Sequence, residues 1–526
     1  MPSEKGIFFY GKDRLTPLKA LQLSQGIVAG ELSEDIIGKI RKSNDHVAAI
    51  VQEEKVVYGI NTGFGSLCHT IISKADTQKL QDNLIRSHSV GVGDPAPLSI
   101  TRLMLILKIH SLSLGFSGIS LYVIQRMMWL LDKNYIPYVP TKGSLGASGD
   151  LAPLAHLFLP LIGLGKVYYN GQYVDTHIVY EKEGLDPLSL GAKEGLALIN
   201  GTQFMGAYTV EILDRLFICL EAADIISAMT IEGLLGSAKP FDGKLHELRP
   251  FRGSQHVAHR LRNLLKNSEM VASHAQCGRV QDPYSIRCIP QVHGASRDAW
   301  LHLKEQADIE LNSVTDNPVI FDENTTISGG NFHGQPLALP LDYCGIAASE
   351  LGNISDRRTF LLLKGGEAGL PQLLMKNTGI NSGFMMPQYT SAALVSENKS
   401  LSFPASVDSI PTSLGQEDHV SMGSISARKT YQIILNLEYI LGVELLCAAQ
   451  AFDYRKPMKS SKILEACHNL VRTEIDHAEE DRIFANDIKV AHDIITSKRL
   501  SELTYEVAQK EEINLKGAYY DLFGIH

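Results

Sequence analysis

Between residues 433 and 448, Ile433, Ile434, Leu437, Ile440, Leu441, Leu445 and Ala448 recur at three- and four-residue steps, the period of an α-helix. This segment has little polar surface, so it has to be buried on most sides, as at the centre of a bundle. Comparable periodicity predicts helices from Val292 to about Leu311 and from about Leu341 to Leu363. Leu103 to Ile109 is almost continuously apolar, with Ser99 as a candidate cap before it. Gly115-Phe116-Ser117-Gly118 breaks that run, and a second helix follows with Val123, Ile124, Met127, Met128 and Leu131 on one face. Strand signals are sparse; the best is a hairpin from Val319-Ile320-Phe321 to Thr325-Thr326-Ile327. Neither an internal repeat nor a low-complexity linker is visible. Glycine loops concentrate in the first part of the chain. The expectation is a mostly α protein: a loop-rich N-terminal domain over 1–205 and a long-helix bundle over 206–526.

The charge balance narrows the partners. A net charge of −9 is spread over 526 residues without a basic tail or arginine-rich stripe, which argues against nucleic acid. The first residues lack a basic stretch followed by an apolar run, so no secretory signal is read there. The most apolar stretch, Leu151 to Val167, is interrupted by Pro153, His156, Pro160 and Lys166. A membrane span needs about 20 mostly apolar residues, so this stretch reads as buried core and no membrane partner is expected. Seven scattered cysteines without paired spacing suit a reducing cytoplasm, the expected location.

The segment most suggestive of chemistry runs Gly143-Ser144-Leu145-Gly146-Ala147-Ser148-Gly149-Asp150-Leu151-Ala152-Pro153-Leu154-Ala155-His156. Lys142 precedes the glycines instead of following them, so a P-loop fails, and no GxGxxG follows a strand. Ala-Ser-Gly has another chemical possibility. The unhindered Gly149 amide nitrogen can attack the Ala147 carbonyl carbon; loss of one water closes a five-membered ring. Loss of the Ser148 hydroxyl as a second water leaves an exocyclic methylidene, an electrophile made only of chain atoms. The same tripeptide is also an ordinary turn sequence. Other sources of an electrophile are weaker. There is no HExxH; His256 and His259 share a face as a solvated or core pair; Cys277 and Cys288 are too far apart for a zinc knuckle. Lys142 has no phosphate site beside it to suggest a pyridoxal Schiff base.

The whole block resembles the signature of the histidine and aromatic amino-acid ammonia-lyases, which carry the methylidene-imidazolone (MIO) group. Further segments resemble the family in the expected order: Tyr58-Gly59-Ile60-Asn61-Thr62-Gly63-Phe64-Gly65, Asn83-Leu84-Ile85-Arg86-Ser87-His88, Leu198-Ile199-Asn200-Gly201-Thr202, Gln281-Asp282-Pro283-Tyr284-Ser285-Ile286-Arg287-Cys288, Ser328-Gly329-Gly330-Asn331-Phe332-His333 and Gln416-Glu417-Asp418-His419-Val420-Ser421-Met422. The resemblance implies an aspartase/fumarase-like fold, a homotetramer with active sites shared between subunits, and an MIO formed autocatalytically from Ala147-Ser148-Gly149, with no metal and no external cofactor. It implies Tyr58 as the base at the substrate β-carbon, on a mobile glycine loop. Arg287 would grip the carboxylate, with Asn200 and Gln281 hydrogen-bonding it or the MIO carbonyl. Tyr284 would stand near the amine and Phe332 against a ring.

The substrate ring separates members of the family. Histidine needs polar partners for two ring nitrogens, tyrosine one for its hydroxyl, phenylalanine none. The pocket candidates are His88, Met385, Gln416 and Glu417. A buried carboxylate needs a donor or cation, which an imidazole supplies and a phenyl ring does not. Gln416-Glu417-Asp418-His419 resembles the histidine-specific form, whereas phenylalanine- and tyrosine-specific relatives tend to have Gln-Asp there. The expected reaction is therefore elimination of ammonia from L-histidine to trans-urocanate. Ser87-His88 also occurs in tyrosine-active relatives, so a tyrosine lyase and an aromatic aminomutase stay open as alternatives. A non-catalytic structural relative is a more distant one.

Overall fold

The computed structural model describes residues 6–525 except 54–56, 58, 61, 64–71, 74–75, 275–279 and 367–368. The fold is a mostly α-helical long-helix bundle with a smaller N-terminal region that contains β-structure. The elements that place the site are β1 (Gly6–Phe9), β2 (Val28–Glu31), α1 (Thr77–His88), α2 (Leu98–Ser113), α3 (Leu121–Asp132), α4 (Leu151–Phe158), α5 (Gln203–Gly233), α6 (Tyr284–Arg287), α7 (Ile289–Glu310), α8 (Gln335–Lys364), α9 (Met385–Leu401) and α10 (Gly423–Asp453). Helix α10 contains the apolar 433–448 segment and is buried along most of its length. It is long and apolar enough to cross a membrane, yet 83% of its most apolar stretch is buried inside the protein.

Two predicted boundaries move. Ser99 lies inside α2, and Pro97 holds the cap position. Helix α8 begins at Gln335, not near Leu341. Pro336 falls in the first turn, where amides have no intrahelical partner, so it starts a helix instead of blocking one. Pro340 costs a single bond further in. The 319–327 hairpin forms as expected, with Val319 opposite Ile327 and Ile320 opposite Thr326. A second hairpin, Lys166–Tyr169 with Gln172–Asp175, turns through Asn170 and Gly171, both at positive φ. Asn-Gly is a strong two-residue hairpin signal that the apolar reading of 151–167 obscured.

The long helices are not simply up-and-down. Gly345 of α8 packs on Thr430 and Ile433, and Gly352 on Leu437 and Ile440, so α8 runs parallel to α10. Helix α5 is parallel to both: Gly423 lies against Met205 and Ala338 at one end, and Gly233 against Ala451 and Leu362 at the other. Helix α7 opposes them. Its Trp300 Nε1 donates to the Leu213 carbonyl (2.8 Å) and its Arg297 to the Leu220 carbonyl (3.1 Å). Three long helices thus start at one end of the bundle.

A buried charge network holds this arrangement. Arg358 of α8 grips Glu444 of α10 with two bonds, Nε–Oε1 2.6 Å and Nη2–Oε2 2.8 Å. Thr230 and Ser355 donate to the remaining lone pairs of Glu444 (2.8 and 2.6 Å). His293 of α7 bridges Asp224 of α5 (2.9 Å) and Arg358 (3.2 Å). Arg297 and Arg260 close on Asp224 and Glu221. Burial would push the Asp224 carboxyl up, but Arg297, the His293 hydrogen bond and Arg260 outweigh it and hold it well below the usual range. His256, beside Arg297 and Arg260, is pushed down to about 2 by burial. It is therefore a neutral core residue, and among the described residues no group of three or more His, Cys, Asp or Glu side chains is placed to hold a metal ion.

Removing one member of a buried pair strands the other. Arg358→Met should destabilise the protein by about 3–5 kcal/mol, seen as a lowered thermal midpoint. Arg358→Met with Glu444→Leu should recover much of that loss. Equal midpoints for parent and Arg358→Met would show that the network does not carry the helix register.

Candidate active site

The Ala147-Ser148-Gly149 loop lies just before α4. Ser148 has φ +52° and Gly149 +80°, a left-handed run that L-residues other than glycine avoid. Gly149 is pressed against the chain at Gly201: a Cβ there would lie 2.1 Å from the Gly201 carbonyl oxygen. The Gly201 N–H donates to the Ser148 carbonyl (3.2 Å), and the Asp150 N–H to the Gly201 carbonyl (2.7 Å). Only glycine fits at 149, and the tripeptide is held bent between fixed backbone segments. Attack of the Gly149 nitrogen on the Ala147 carbonyl needs a bent loop and an unhindered glycine, and the residues present fit that expected cyclisation.

Asp150, fully buried, ties the loop to the bundle. Its Oδ2 accepts the Phe204 and Met205 amides at the start of α5 (3.1 and 3.0 Å), and its Oδ1 accepts Ser144 Oγ (3.2 Å). Burial pushes its carboxyl up to about 7 even against those hydrogen bonds. The α10 side is fastened too: the Met422 amide donates to the Leu145 carbonyl (2.9 Å) and Ser424 Oγ to the Ser144 carbonyl (2.5 Å). Gly334, at the start of α8, abuts Met205 and Ser421. The N-termini of α4, α5, α8 and α10 therefore converge here. Their dipoles favour negative charge.

Behind the loop, Lys108 of α2 is fully buried and donates its Nζ to the Asn200 carbonyl. Burial pushes this amine down to about 7. Lys193 and Asp316 form a buried pair nearby (2.7 Å). Asn200 is buried, with its Oδ1 left without a hydrogen-bond partner.

In front of the loop is a cleft of about 210 Å³ lined by Ala147, Gly149, Leu145, His88, Thr412 and Glu417, among others. His88 Nδ1 lies 2.9 Å from the Leu84 carbonyl and 3.1 Å from Ser87 Oγ. A carbonyl only accepts, so Nδ1 carries the proton and Nε2 is left as an acceptor. Burial lowers the His88 pKa, against the Leu84 carbonyl and the charge of Glu417, which favours this neutral form. Glu417 is set by a two-residue ladder with Thr412, whose Oγ1 donates to Glu417 Oε2 (3.1 Å). Gln416 is exposed in the same turn. His156 accepts the Gly91 amide (3.0 Å) and so ties the chain after His88 to α4.

Other predicted residues are not gathered here. Phe332 is half-buried in the loop before α8. Tyr58 lies outside the described residues; beside it Gly59 and Ile60 are buried, and the Gly59 N–H donates to Thr62 Oγ1 (3.2 Å). Gln281, Tyr284 and Arg287 sit at the opposite end of the bundle. Ile286 packs against Gly236, just past the C-terminus of α5, and α5 has 31 residues, or about 45 Å at 1.5 Å per residue. There Tyr284 is 70% exposed, the Arg287 guanidinium lies 4.5 Å over its ring, and Arg287 Nε is buried without a partner. Met385 is also distant. Phe384 beside it donates to Leu373 (3.1 Å), and Gln450, near the end of α10, donates to Leu374 (3.2 Å).

Sequence reasoning passed over four residues. Asp150 had a signal, an acid directly after the tripeptide. Lys108 had one as well, the only charge in an apolar helical run. Thr412 and His156 act through positions that only the folded chain brings together.

Comparison with known proteins agrees with this geometry. The profile described as "Aromatic amino acid lyase" matches residues 15–473. The chain is 48% identical over 482 residues to the histidine ammonia-lyase of Natranaerobius thermophilus, covering 91% of this chain and 94% of that one. It superposes on the crystal structure of histidine ammonia-lyase from Trypanosoma cruzi with a TM-score of 0.89 at 38% identity, covering 99% and 98% of the two chains. It also superposes on tyrosine aminomutase from Streptomyces globisporus with a TM-score of 0.89 at 34% identity, covering 94% and 97%. The cleft, the bent tripeptide and these matches together show that the chain belongs to the MIO-dependent aromatic amino acid lyase family.

Proposed function

We propose that the protein is a cytoplasmic histidine ammonia-lyase that eliminates ammonia from L-histidine to give trans-urocanate, using an MIO formed autocatalytically from Ala147-Ser148-Gly149. The observation that carries the histidine reading is the pair of acceptors in the cleft, His88 Nε2 and the Glu417 carboxylate. An imidazolium offers two N–H donors, one for each; a phenol offers one and a phenyl ring none. The curated relatives at 45–48% identity over about nine-tenths of the chain are named for the same activity.

The MIO supplies an electrophilic methylidene that turns the substrate amine into a good leaving group. The chain's own residues do the rest. Glu417 and His88 orient the ring. The converging helix N-termini favour the anionic carboxylate end of the substrate. Tyr58, by its place in the family's tyrosine loop, takes the β-proton; a free tyrosine titrates near 10, so the site must strengthen it as a base. Arg287 suits a bidentate grip on the carboxylate, with Asn200 and Gln281 adding hydrogen bonds and Tyr284 and Phe332 flanking the amine and ring.

Arg287, Tyr284, Gln281 and Met385 can take those roles only if the far end of another copy meets this cleft. We therefore include a homotetramer with shared sites in the proposal. A stripe of half-exposed apolar side chains on α8, Leu339, Tyr343, Ile346 and Phe360, supports it, since such faces mark association surfaces.

Three outcomes are expected. Mass spectrometry of the 147–149 peptide should show it two waters lighter than its sequence, and Ser148→Ala should restore the full residue masses apart from the substituted oxygen while abolishing turnover. An unmodified mass in active enzyme would refute the electrophile. Glu417→Gln should slow urocanate formation at least roughly tenfold, the value of one charge-assisted hydrogen bond, and His88→Phe should slow it further. Release of coumarate from tyrosine much faster than urocanate from histidine in the parent would replace histidine with tyrosine as substrate. Finally, Ser148→Ala and Arg287→Ala chains, each inactive alone, should regain up to roughly a quarter of parental activity when co-expressed in equal amounts, because random assembly pairs the two intact halves. No recovery in well-assembled mixed oligomers would place the whole site in one chain.

A further inference from the structure

A second cavity stands apart from the catalytic cleft. It lies between β2, α2 and α3 and has a volume of about 620 Å³. Ile106, Met128 and Leu131 contribute an apolar floor, and Tyr10, Arg102 and Asp132 contribute polar groups to its wall. None of these residues takes part in the chemistry above.

The polar groups are left incomplete by the chain itself. Arg102, half-buried, donates to the Ser24 carbonyl (3.2 Å) and to Asn134 Oδ1. Two of its five N–H groups are then used, and no carboxylate among the described residues pairs with it. Asp132, at the rim, has no cationic partner and no hydrogen-bond donor among the described residues. Tyr10 is 3% exposed, and its hydroxyl lines the cavity without a hydrogen-bond partner among them. Burial lowers the pKa of Arg102 and raises that of Asp132, so each charge is held under partial desolvation without a counter-ion. Among the described residues, strand β2 pairs only with β1, and Val28, Ala29 and Gly30 of β2 also line the cavity. Glu31 stands at the same rim.

An unpaired cation and an unpaired anion lining one cavity, together with apolar side chains, match a molecule that carries both charges on a short frame. We propose that this cavity is a second small-molecule site, separate from the catalytic cleft, and that it takes a zwitterionic α-amino acid. The ligand carboxylate meets the free donors of Arg102. Its ammonium meets Asp132 and the Tyr10 oxygen, and its side chain lies over Ile106, Met128 and Leu131. The pairing of each charge with an opposite one gives the site its selectivity for zwitterions over simple amines or simple acids. This does not depend on which amino acid the catalytic cleft consumes.

The test is calorimetric titration of the assembled protein carrying Ser148→Ala, so that no amino acid is turned over, with each of the proteinogenic L-amino acids. At least one should bind with an affinity that falls at least roughly tenfold in Arg102→Met and in Asp132→Asn. The amine and the acid that each lack one of its charges should bind as weakly as those variants do. With Ser148 intact, both variants should keep parental turnover, which separates the site from the cleft. If Arg102→Met fails to assemble, Asp132→Asn, on the exposed rim, decides the matter alone. The proposal is overturned if no amino acid binds in a way that responds to Asp132→Asn, or if the responsive ligand binds equally well without its carboxylate.

Discussion

The buried contact between Arg358 and Glu444, extended through His293 to Asp224, Arg297 and Arg260, is the constraint on which the rest of the structure depends. Hydrophobic faces of long helices can slide by a turn at modest cost, because apolar contacts are non-directional. A bidentate ion pair without solvent cannot. By linking α5, α7, α8 and α10 at named positions, the network sets which residues stand at the ends of the bundle.

That register has a chemical consequence. With α5, α8 and α10 parallel and aligned, Gln203, Gln335 and Gly423 start their helices at one place. Asp150 takes two free amides of α5 onto its carboxylate, and the bent tripeptide hangs between α4 and those helix starts. A turn that would be flexible in isolation is thereby held in the left-handed conformation that brings Gly149 against Gly201. The same parallel packing carries Tyr284, Arg287 and Met385 to the opposite end. Under the proposed function, one chain presents two halves of a site, about a bundle's length apart.

Much of this was legible beforehand. The long helices follow from three- and four-residue apolar spacing, and α10 from the absence of a polar face. The tripeptide followed from its chemistry together with the segments around it. Other features were hidden for identifiable reasons. Pro340 looks like a helix boundary but falls close enough to the N-terminus of α8 to be tolerated. The Asn170-Gly171 hairpin was masked by the apolar stretch before it. Lys108, buried against the Asn200 carbonyl, reads as a solvated side chain until its helix is known to have no outer face. The spacing of Arg102, Asp132 and Tyr10 in the chain carries no hint that they border one cavity.

The sequence by itself determined the helical class, the reactive tripeptide and the residue types able to serve it. These are local properties: periodicity, conformational preference and functional-group chemistry act within a few residues. The tertiary structure alone decided that three long helices run parallel. It also decided that Asp150 and Lys108 brace the loop from behind, that His88 and Glu417 share its cleft, and that Arg287 does not reach that cleft within one chain. Those outcomes depend on contacts between residues fifty or more positions apart. Such contacts are fixed by packing and by buried charges that must find partners, and neither leaves a local pattern in the chain.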